Sequence, residues 1–275
     1  MDVLDIDVLM SNDIENRIEA ESYMNEKFGN INKALLDVYI EGDMVMLNYS
    51  GTLIVREGVT SIAHEKYHLN RVYTFICPSY SDIISLKGAP RRCDTFECTY
   101  CPGLVSLEGA PLRCLKFDVT GCKKLKNLKG APQTVTFFNC SYCDSLESLE
   151  GAPQECDSFF CNSCKELKNL KGAPQYCKKF HCAFCDSLKS LEGAPKKSGV
   201  FCCSSCGNIT NLKGAPRECE ILFCNHCTGL TTLDGYPKNV TEIQCKYCTN
   251  LTSLSDVRNH LYINLLYTGC YSVVF

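Results

Sequence analysis

Residues 172–192 read GAPQYCKKFHCAFCDSLKSLE, and the same arrangement of residues returns every 21 positions along most of the chain. The tripeptide Gly-Ala-Pro begins at residues 88, 109, 130, 151, 172, 193 and 214, and Gly-Tyr-Pro at residue 235 continues the series. Eight full repeats therefore occupy residues 88–255. A period of this length is typical of solenoids, in which each repeat forms one coil stacked on the next.

We number each repeat from its glycine, which is position 0. Positions 5, 8, 10, 13, 16 and 19 are apolar in nearly every repeat, with phenylalanine predominating at position 8, cysteine at positions 10 and 13, and leucine at positions 16 and 19. The alternation of apolar and polar residues around position 8 predicts a short β-strand with one buried face. Gly-Ala-Pro predicts a chain reversal, because glycine permits a tight turn and proline cannot donate a backbone hydrogen bond.

The consensus C-x-x-F-x-C-x-x-C-x-x-L-x-x-L-x-G-A-P resembles the leucine-rich repeat, with phenylalanine and cysteine in place of several leucines. It is similar to cysteine-rich, 21-residue variants of this repeat in large DNA viruses of amoebae and in bacteriophages. The resemblance covers residues 67–275 and implies an α/β repeat fold, a leucine-rich-repeat solenoid with a parallel β-sheet on one face. It also implies a viral protein that acts in the host cytoplasm or in the virion.

Degenerate repeats flank the array, as expected of the two ends of a solenoid. Upstream, the pattern assigns Val72, Phe75 and Cys77 to positions 5, 8 and 10, and Tyr80 to position 13. Downstream, the pattern continues with one inserted residue through Tyr262, Leu265, Tyr267 and Cys270.

Residues 1–66 differ in composition from the repeats and predict a small α+β cap over the first coil. Asn12 and Glu15 form a capping box, which predicts a helix over 12–28. Asn30 predicts the start of a second helix, over 31–39.

The end of this segment predicts a β-hairpin. Residues 44–48 and 52–56 form the two strands, and Tyr49-Ser50-Gly51 forms the connection between them. A small separate domain that recruits another molecule is the alternative interpretation of residues 1–66.

A longer period, two repeats in length, overlies the single repeat. The residue before each glycine alternates in charge, beginning with Lys87 and Glu108. Position 12 alternates between bulky and small residues, as in Tyr100, Gly121, Tyr142, Ser163, Phe184 and Ser205. A Lys–Glu ladder between coils about 4.8 Å apart would explain the charges. Descent from a duplicated two-coil block explains them equally well.

Cysteine accounts for 23 of the 275 residues, the level of a disulfide scaffold or a metal protein. Seven repeats carry C-x-x-C at positions 10 and 13, and stacking would bring neighbouring pairs together at the spacing of a four-thiolate zinc site. The candidate ligands for zinc or an iron–sulfur cluster are Cys98, Cys101, Cys140, Cys143, Cys161, Cys164, Cys182, Cys185, Cys203, Cys206, Cys224, Cys227, Cys245 and Cys248.

Reduced structural thiols are nevertheless the favoured interpretation, with no cofactor. Free cysteine packs as a small apolar residue, and a 21-residue period imposes the same spacing whether or not a metal binds. Disulfides are disfavoured because the chain opens on MDVLDIDVLM, which is not a signal peptide. Zinc or an iron–sulfur cluster remains the alternative, and a thiol or redox buffer is a weaker one.

Positions 7 and 9 should point away from the core, toward the face that solenoids present to partners. In the central repeats these positions carry apolar, aromatic or histidine side chains, and such a patch often marks an interaction site. The candidate partner-binding residues are Phe137, Phe160, His181, Val200, Ile221 and Phe223. We therefore expect a non-enzymatic scaffold that binds a protein partner, with self-association as the alternative use of this face.

Composition argues against other classes of function. The net charge of −3 is not that of a protein that neutralises nucleic-acid phosphates. No apolar run approaches the ~20 residues of a membrane span. The five histidines form no arrangement typical of catalysis with a cysteine and an acid. These observations predict a cytoplasmic protein without nucleic-acid, membrane or catalytic activity.

Overall fold

Each repeat contributes one short strand to a single sheet, and the chain then returns to begin the next coil. This computed structural model describes residues 3–41, 43–255, 257 and 262–273, with the backbone alone for 3–13. Within these residues, twelve strands lie side by side in the order of the chain. The strands are β1 (Leu36–Glu41), β2 (Met44–Ile54), β3 (Tyr67–Cys77), β4 (Arg92–Cys98), β5 (Lys116–Asp118), β6 (Phe137–Asn139), β7 (Glu155–Phe160), β8 (Tyr176–His181), β9 (Lys197–Cys202), β10 (Glu218–Phe223), β11 (Glu242–Gln244) and β12 (Asn264–Leu266).

Strands β2 to β12 are parallel, and together they form a β-solenoid of about ten turns. The register between neighbours is set by the repeat: Phe138 of β6 lies beside Phe159 of β7, at the same position of the next repeat. The predicted solenoid with a parallel sheet is therefore confirmed. The parallel sheet already begins with β2, within residues 1–66.

A continuous stack of phenylalanine rings forms the centre of the core. Neighbouring rings at position 8, from Phe75 to Phe201, lie 5.0–5.5 Å apart between centroids and are close to parallel, and each ring is fully buried. Burial of a side chain of this size stabilises the fold by about 1.5–3 kcal/mol. The leucines at positions 16 and 19 and the cysteines at positions 10 and 13 complete the same core.

The glycine at position 0 closes a type II turn. The N–H of Ala152 donates to the carbonyl of Leu149 at 3.0 Å, and Gly151 between them has a φ of +93°. A Cβ at Gly151 would lie 2.4 Å from the backbone nitrogen of Lys129 in the preceding coil. Glycine is thus required both by the backbone conformation and by the close approach of the coils.

Position 18, which alternates between serine and asparagine along most of the array, stabilises this turn. The Oδ1 of Asn169 accepts a hydrogen bond from the N–H of Lys171 at 3.0 Å, and the Oγ of Ser190 accepts one from the N–H of Glu192 at 3.0 Å. Serine and asparagine therefore perform the same task, so their alternation has no separate structural cause. It is consistent with duplication of a two-coil block.

The alternating charges do form ion pairs between coils. Lysine at position 20 reaches the acidic residue of the following coil in three pairs: Lys129–Glu150 at 3.0 Å, Lys171–Glu192 at 3.2 Å and Lys213–Asp234 at 2.9 Å. All six side chains are more than half exposed. Such pairs contribute about 0–1 kcal/mol each, so the ladder adds little to the free energy of unfolding.

The assignment of Tyr80 to position 13 is wrong. Ser81 is the buried residue at this place, with its Oγ 3.3 Å from the Sγ of Cys101, whereas Tyr80 is exposed and stacks on Tyr100. Between Cys77 and Ser81 the upstream coil has one residue more than a regular repeat has between positions 10 and 13. The coil as a whole keeps the regular length, so the sequence pattern does not reveal the extra residue.

The single insertion predicted after the last full repeat is confirmed. Ile243 pairs with Leu265, one position beyond the partner that the regular period would supply. Leu265, Tyr267 and Cys270 pack half-buried against the core. Tyr262, which the pattern assigns to the buried position 5, is instead 93% exposed.

The N-terminal predictions are partly wrong. Helix α1 spans Val3–Phe28, so it begins well before Asn12. The predicted second helix over 31–39 is a short 3-10 turn, Lys33–Leu35, followed by β1. The β-branched and aromatic residues of β1 pair antiparallel with β2, and this pairing overrides the local helix signal.

The predicted hairpin is also wrong, because residues 44–54 form the single strand β2. The hairpin joins β1 to β2 instead, with Glu41 opposite Met44. Ser50 and Gly51 do not turn the chain; they lie where the register with β3 shifts, as in a β-bulge.

Helix α1 packs against the first coils. Ala20, Tyr23 and Met24 are buried, the hydroxyl of Tyr23 donates to the carbonyl of Ile62 at 2.7 Å, and the ring of Phe28 lies 5.9 Å from that of Phe75. Phe75 is the first ring of the phenylalanine stack, so α1 lies at the place that an N-terminal cap would occupy.

Candidate interaction face and cysteine columns

The outer face of the sheet carries the predicted partner-binding residues. Phe137, Phe160, His181, Val200, Ile221 and Phe223 all lie on strands β6 to β10, and we call them the interaction face. They are half-buried, because neighbouring side chains partly cover one another.

The structure brings these residues together in two groups. The rings of Phe137 and Phe160 lie 5.3 Å apart, and those of Phe160 and His181 lie 4.9 Å apart. Val200 and Ile221 are paired in register on β9 and β10. Phe223 lies beside Cys202, which therefore separates it from His181.

His181 is held neutral in this cluster. Burial, together with the charge of nearby Lys179, lowers the pKa of the His181 imidazole. The centre of the interaction face is therefore aromatic and uncharged, although lysine and acidic residues surround it.

A groove of about 950 Å³ lies along the N-terminal ends of strands β7 to β10. Val200 lines this groove, so the groove is continuous with the interaction face. Charged side chains pair across its coils, Lys178 with Asp157 at 2.8 Å and Lys197 with Glu218 at 3.0 Å. The groove therefore offers hydrogen-bonding groups of both signs next to an apolar surface.

The position-13 thiols form a column of hydrogen bonds along the core. In seven of the eight full repeats the Sγ donates to the carbonyl at position 10 of the preceding coil, as from Cys164 to Cys140 at 3.4 Å and from Cys206 to Cys182 at 3.1 Å. The Sγ of Cys101 donates instead to the carbonyl of Thr99 at 3.6 Å. Only a protonated thiol can donate such a bond. The column therefore supplies hydrogen-bond donors to buried carbonyl oxygens.

Several position-10 thiols donate in the opposite direction. The Sγ of Cys140 donates to the carbonyl of Phe160 at 3.4 Å, and that of Cys182 donates to the carbonyl of Cys202 at 3.4 Å. Burial raises the pKa of the Cys143 thiol to about 12, and the same cause raises the pKa values of Cys140 and Cys182 well above the ordinary range. Neutral thiols are thus favoured at these three positions.

All 23 cysteines are free in the structure, and most are buried. Within the described residues, no group of three or more histidine, cysteine, aspartate or glutamate side chains is arranged to hold a metal ion. The metal site at the C-x-x-C pairs therefore stays a prediction, without support from the donor geometry. Cys202 lies on the outer face of the sheet and is half-buried.

A polar ladder at position 11 was not predicted from the sequence. The Oγ of Ser141 accepts from the N–H of Asn162 at 3.1 Å, and the Oδ1 of Asn162 accepts from the N–H of Ala183 at 2.9 Å. The same arrangement links Ser204, Asn225 and Lys246. The signal in the sequence is a run of Thr, Ser and Asn at this position.

The sequence matches no protein-family model, and it has no significant similarity to a curated protein. No helix within the described parts of the chain has both the length and the apolar character of a membrane span. Any assignment of function therefore depends on the chemistry of the solenoid itself.

Proposed function

We propose that the coils are of the leucine-rich-repeat type. Position 13 corresponds to the asparagine or cysteine of the leucine-rich-repeat consensus. Its thiol donates to a backbone carbonyl of the neighbouring coil, for example from Cys185 to Cys161 at 3.2 Å. This contact, the leucines at positions 16 and 19, and the single parallel sheet support the assignment.

The proposed function is that of a non-enzymatic scaffold that binds a protein partner through the interaction face. The observation that carries it is the aromatic cluster of Phe137, Phe160 and His181 on the outer surface of the sheet. Aromatic residues provide much of the binding energy of protein interfaces. Side chains at the same positions of other coils are charged or polar, such as Glu97 and Asp118, so the patch is local.

A reducing compartment such as the cytoplasm suits this scaffold. Its core is lined by free thiols that act as hydrogen-bond donors, and cysteines remain reduced in such compartments.

Photo-crosslinking tests this proposal directly. A photoreactive phenylalanine analogue is placed at Phe160 and, as the control, at Leu112, which is 67% exposed but lies outside the interaction face. We expect a discrete crosslinked partner from Phe160 only. The double variant Phe160→Ala/Phe223→Ala should retain the wild-type circular dichroism spectrum and lose that partner in a quantitative pull-down.

Identical crosslinking patterns at the two sites, or full retention of the partner by the double variant, would contradict the proposal. A crosslinked product made only of this chain, with a dimer in light scattering, would instead assign the face to self-association.

A further inference from the structure

A row of exposed side chains runs along the solenoid at position 12, outside the interaction face. Tyr100, Tyr142, Phe184 and His226 recur in every second coil, and we call them the aromatic row. Phe184 is 58% exposed and Tyr142 is 52% exposed. The row is therefore a surface feature that the core does not use.

The backbone of the aromatic row is in an unfavourable conformation for these residues. Their φ angles lie between +53° and +60°, in the left-handed region that bulky side chains disfavour. Gly121 occupies the same position in another coil, where this conformation is free of strain. Ser163 and Ser205 share this conformation, so the position imposes it on every coil, and residues under such strain cluster at functional sites.

The two-coil alternation keeps the rings apart. A Cβ at Gly121 would lie 2.4 Å from Cδ1 of Tyr100, so the Tyr100 ring extends over the glycine of the next coil. Ser163 and Ser205 are the corresponding small residues after Tyr142 and Phe184. Tyr142 and Phe184 therefore each form a separate platform.

Stacked pairs close the row at both ends. Tyr80 stacks on Tyr100 at 5.8 Å between centroids, and Tyr247 stacks on His226 at 4.8 Å. The row thus has a defined length of three two-coil intervals.

The spacing of the platforms matches that of a polyproline II helix. Coils about 4.8 Å apart place successive rings roughly 10 Å apart. A polyproline II helix has three residues per turn and a rise of about 3.1 Å per residue, so the same edge returns every ~9 Å. Four rings therefore match a segment of about nine to ten residues.

The polar groups of the aromatic row, and of the small residues between its rings, also suit a polyproline II helix. The hydroxyl groups of Tyr100, Tyr142, Ser163 and Ser205 make no hydrogen bond to another residue within the described part of the chain. A polyproline II helix has no internal hydrogen bonds, so its carbonyl groups remain free to accept. Because it is already extended, it also loses little conformational entropy on binding to aromatic surfaces.

We propose that the aromatic row binds a proline-rich segment of a partner protein in the polyproline II conformation, with proline or another apolar residue at every third position. The site is distinct from the interaction face and does not depend on it.

Fluorescence anisotropy with a labelled oligoproline of about twelve residues tests this site. Wild-type protein should bind this probe, and should bind an oligoproline of half that length more weakly because fewer rings are engaged. A labelled Gly-Ser peptide of equal length should not bind. The variant Tyr142→Gly/Phe184→Gly should weaken binding by about tenfold or more, since aromatic anchors each contribute on this scale.

Glycine is the substitution of choice because it fits the left-handed backbone and retains the turn. The thermal unfolding midpoint of this variant should stay close to that of the wild type. The control variant Phe160→Ala/Phe223→Ala should bind oligoproline normally, so failure of this site and failure of the interaction face are separable. The proposal would be overturned if the wild type did not bind oligoproline, or if Tyr142→Gly/Phe184→Gly bound it equally well. Binding of a β-1,4-linked glucan oligosaccharide in place of oligoproline would also overturn it.

Discussion

At the scale of single residues, cysteine meets three requirements of position 13 at once. The side chain must be small, it must be apolar enough for a dry core, and it must donate one hydrogen bond to a carbonyl of the preceding coil. Cys227, for example, donates to the carbonyl of Cys203 at 3.2 Å. Serine donates equally well but is more costly to bury, and it occurs at this position only in the upstream coil, as Ser81.

Burial of these thiols predicts a loss of stability at alkaline pH. Burial raises the pKa of Cys143 and of Cys156 to about 12, above the ordinary cysteine value in the unfolded chain. The folded state then holds protons that the unfolded state releases. The stabilisation is complete below the unfolded pKa, near 8.5, and is lost as the pH rises toward 12. Urea unfolding at pH 7, 8, 9 and 10 should show a steady fall in the free energy of unfolding above about pH 8.5.

Replacement of Cys143 and Cys156 by alanine supplies the control for this prediction. The double variant should be less stable at pH 7 but should show a shallower fall with pH. An unchanged slope would mean that other titrating groups cause the effect.

The position-0 glycine gives a second prediction at this scale. Gly172→Ala places a side chain at a φ of +91° and within 2.6 Å of the Glu150 nitrogen. Strain and backbone displacement together should lower the free energy of unfolding by about 2–4 kcal/mol, measured by urea denaturation. Gly207→Ala is the matched control, since its φ is not in the left-handed region and the nearest atom would be 3.3 Å away. Equal effects of the two substitutions would contradict this account of the turn.

At the scale of the element, a strand of the solenoid has two faces with different tasks. Phe159 and Phe160 are adjacent in β7, yet Phe159 is fully buried in the phenylalanine stack and Phe160 belongs to the interaction face. Phe159→Ala should lower the free energy of unfolding by about 3–5 kcal/mol. Phe160→Ala should cost roughly 1 kcal/mol or less, because its ring is already partly hydrated. Chemical denaturation of the two variants side by side measures the difference, and similar losses would show that the faces are assigned wrongly.

Elements of the regular array could be predicted from the sequence because every coil repeats the same signal. Phe138 and Phe159 share position 8, and stacking of identical positions follows directly from the period. Tyr80 could not be placed, since an extra residue in its coil is invisible without the neighbouring backbone. Ser50 and Gly51 have the composition of a turn, but the strand pairing of β2 with β3 overrides it. Of the candidate site, the sequence predicts which residues share a face, and the period places Cys202 between His181 and Phe223. It does not predict the ring contact between Phe137 and Phe160, which stand at different positions of their repeats.

At the scale of the whole molecule, each coil contacts mainly its two neighbours. The free energy of unfolding should therefore be a sum of contributions from the single coils and from the contacts between neighbouring coils. Removal of one coil contact then weakens the adjacent coils first. The end coils should be weakened most, because each has a neighbour on one side only. Helix α1 supplies contacts on the free side of the first coils, through Met24 and Phe28 among others.

This arrangement predicts a graded response to disruption of α1. Met24 is fully buried, and Met24→Asp places a charge in an apolar environment at a cost of several kcal/mol. Hydrogen exchange monitored by mass spectrometry should then show lost protection in β2 and β3, with β8 to β10 little changed. Ile18→Asp is the matched control, because Ile18 lies on the same helix but is 63% exposed. Unchanged protection in β2 and β3 would show that α1 does not cap the solenoid, and equal loss in all strands would show that the molecule unfolds as one cooperative unit.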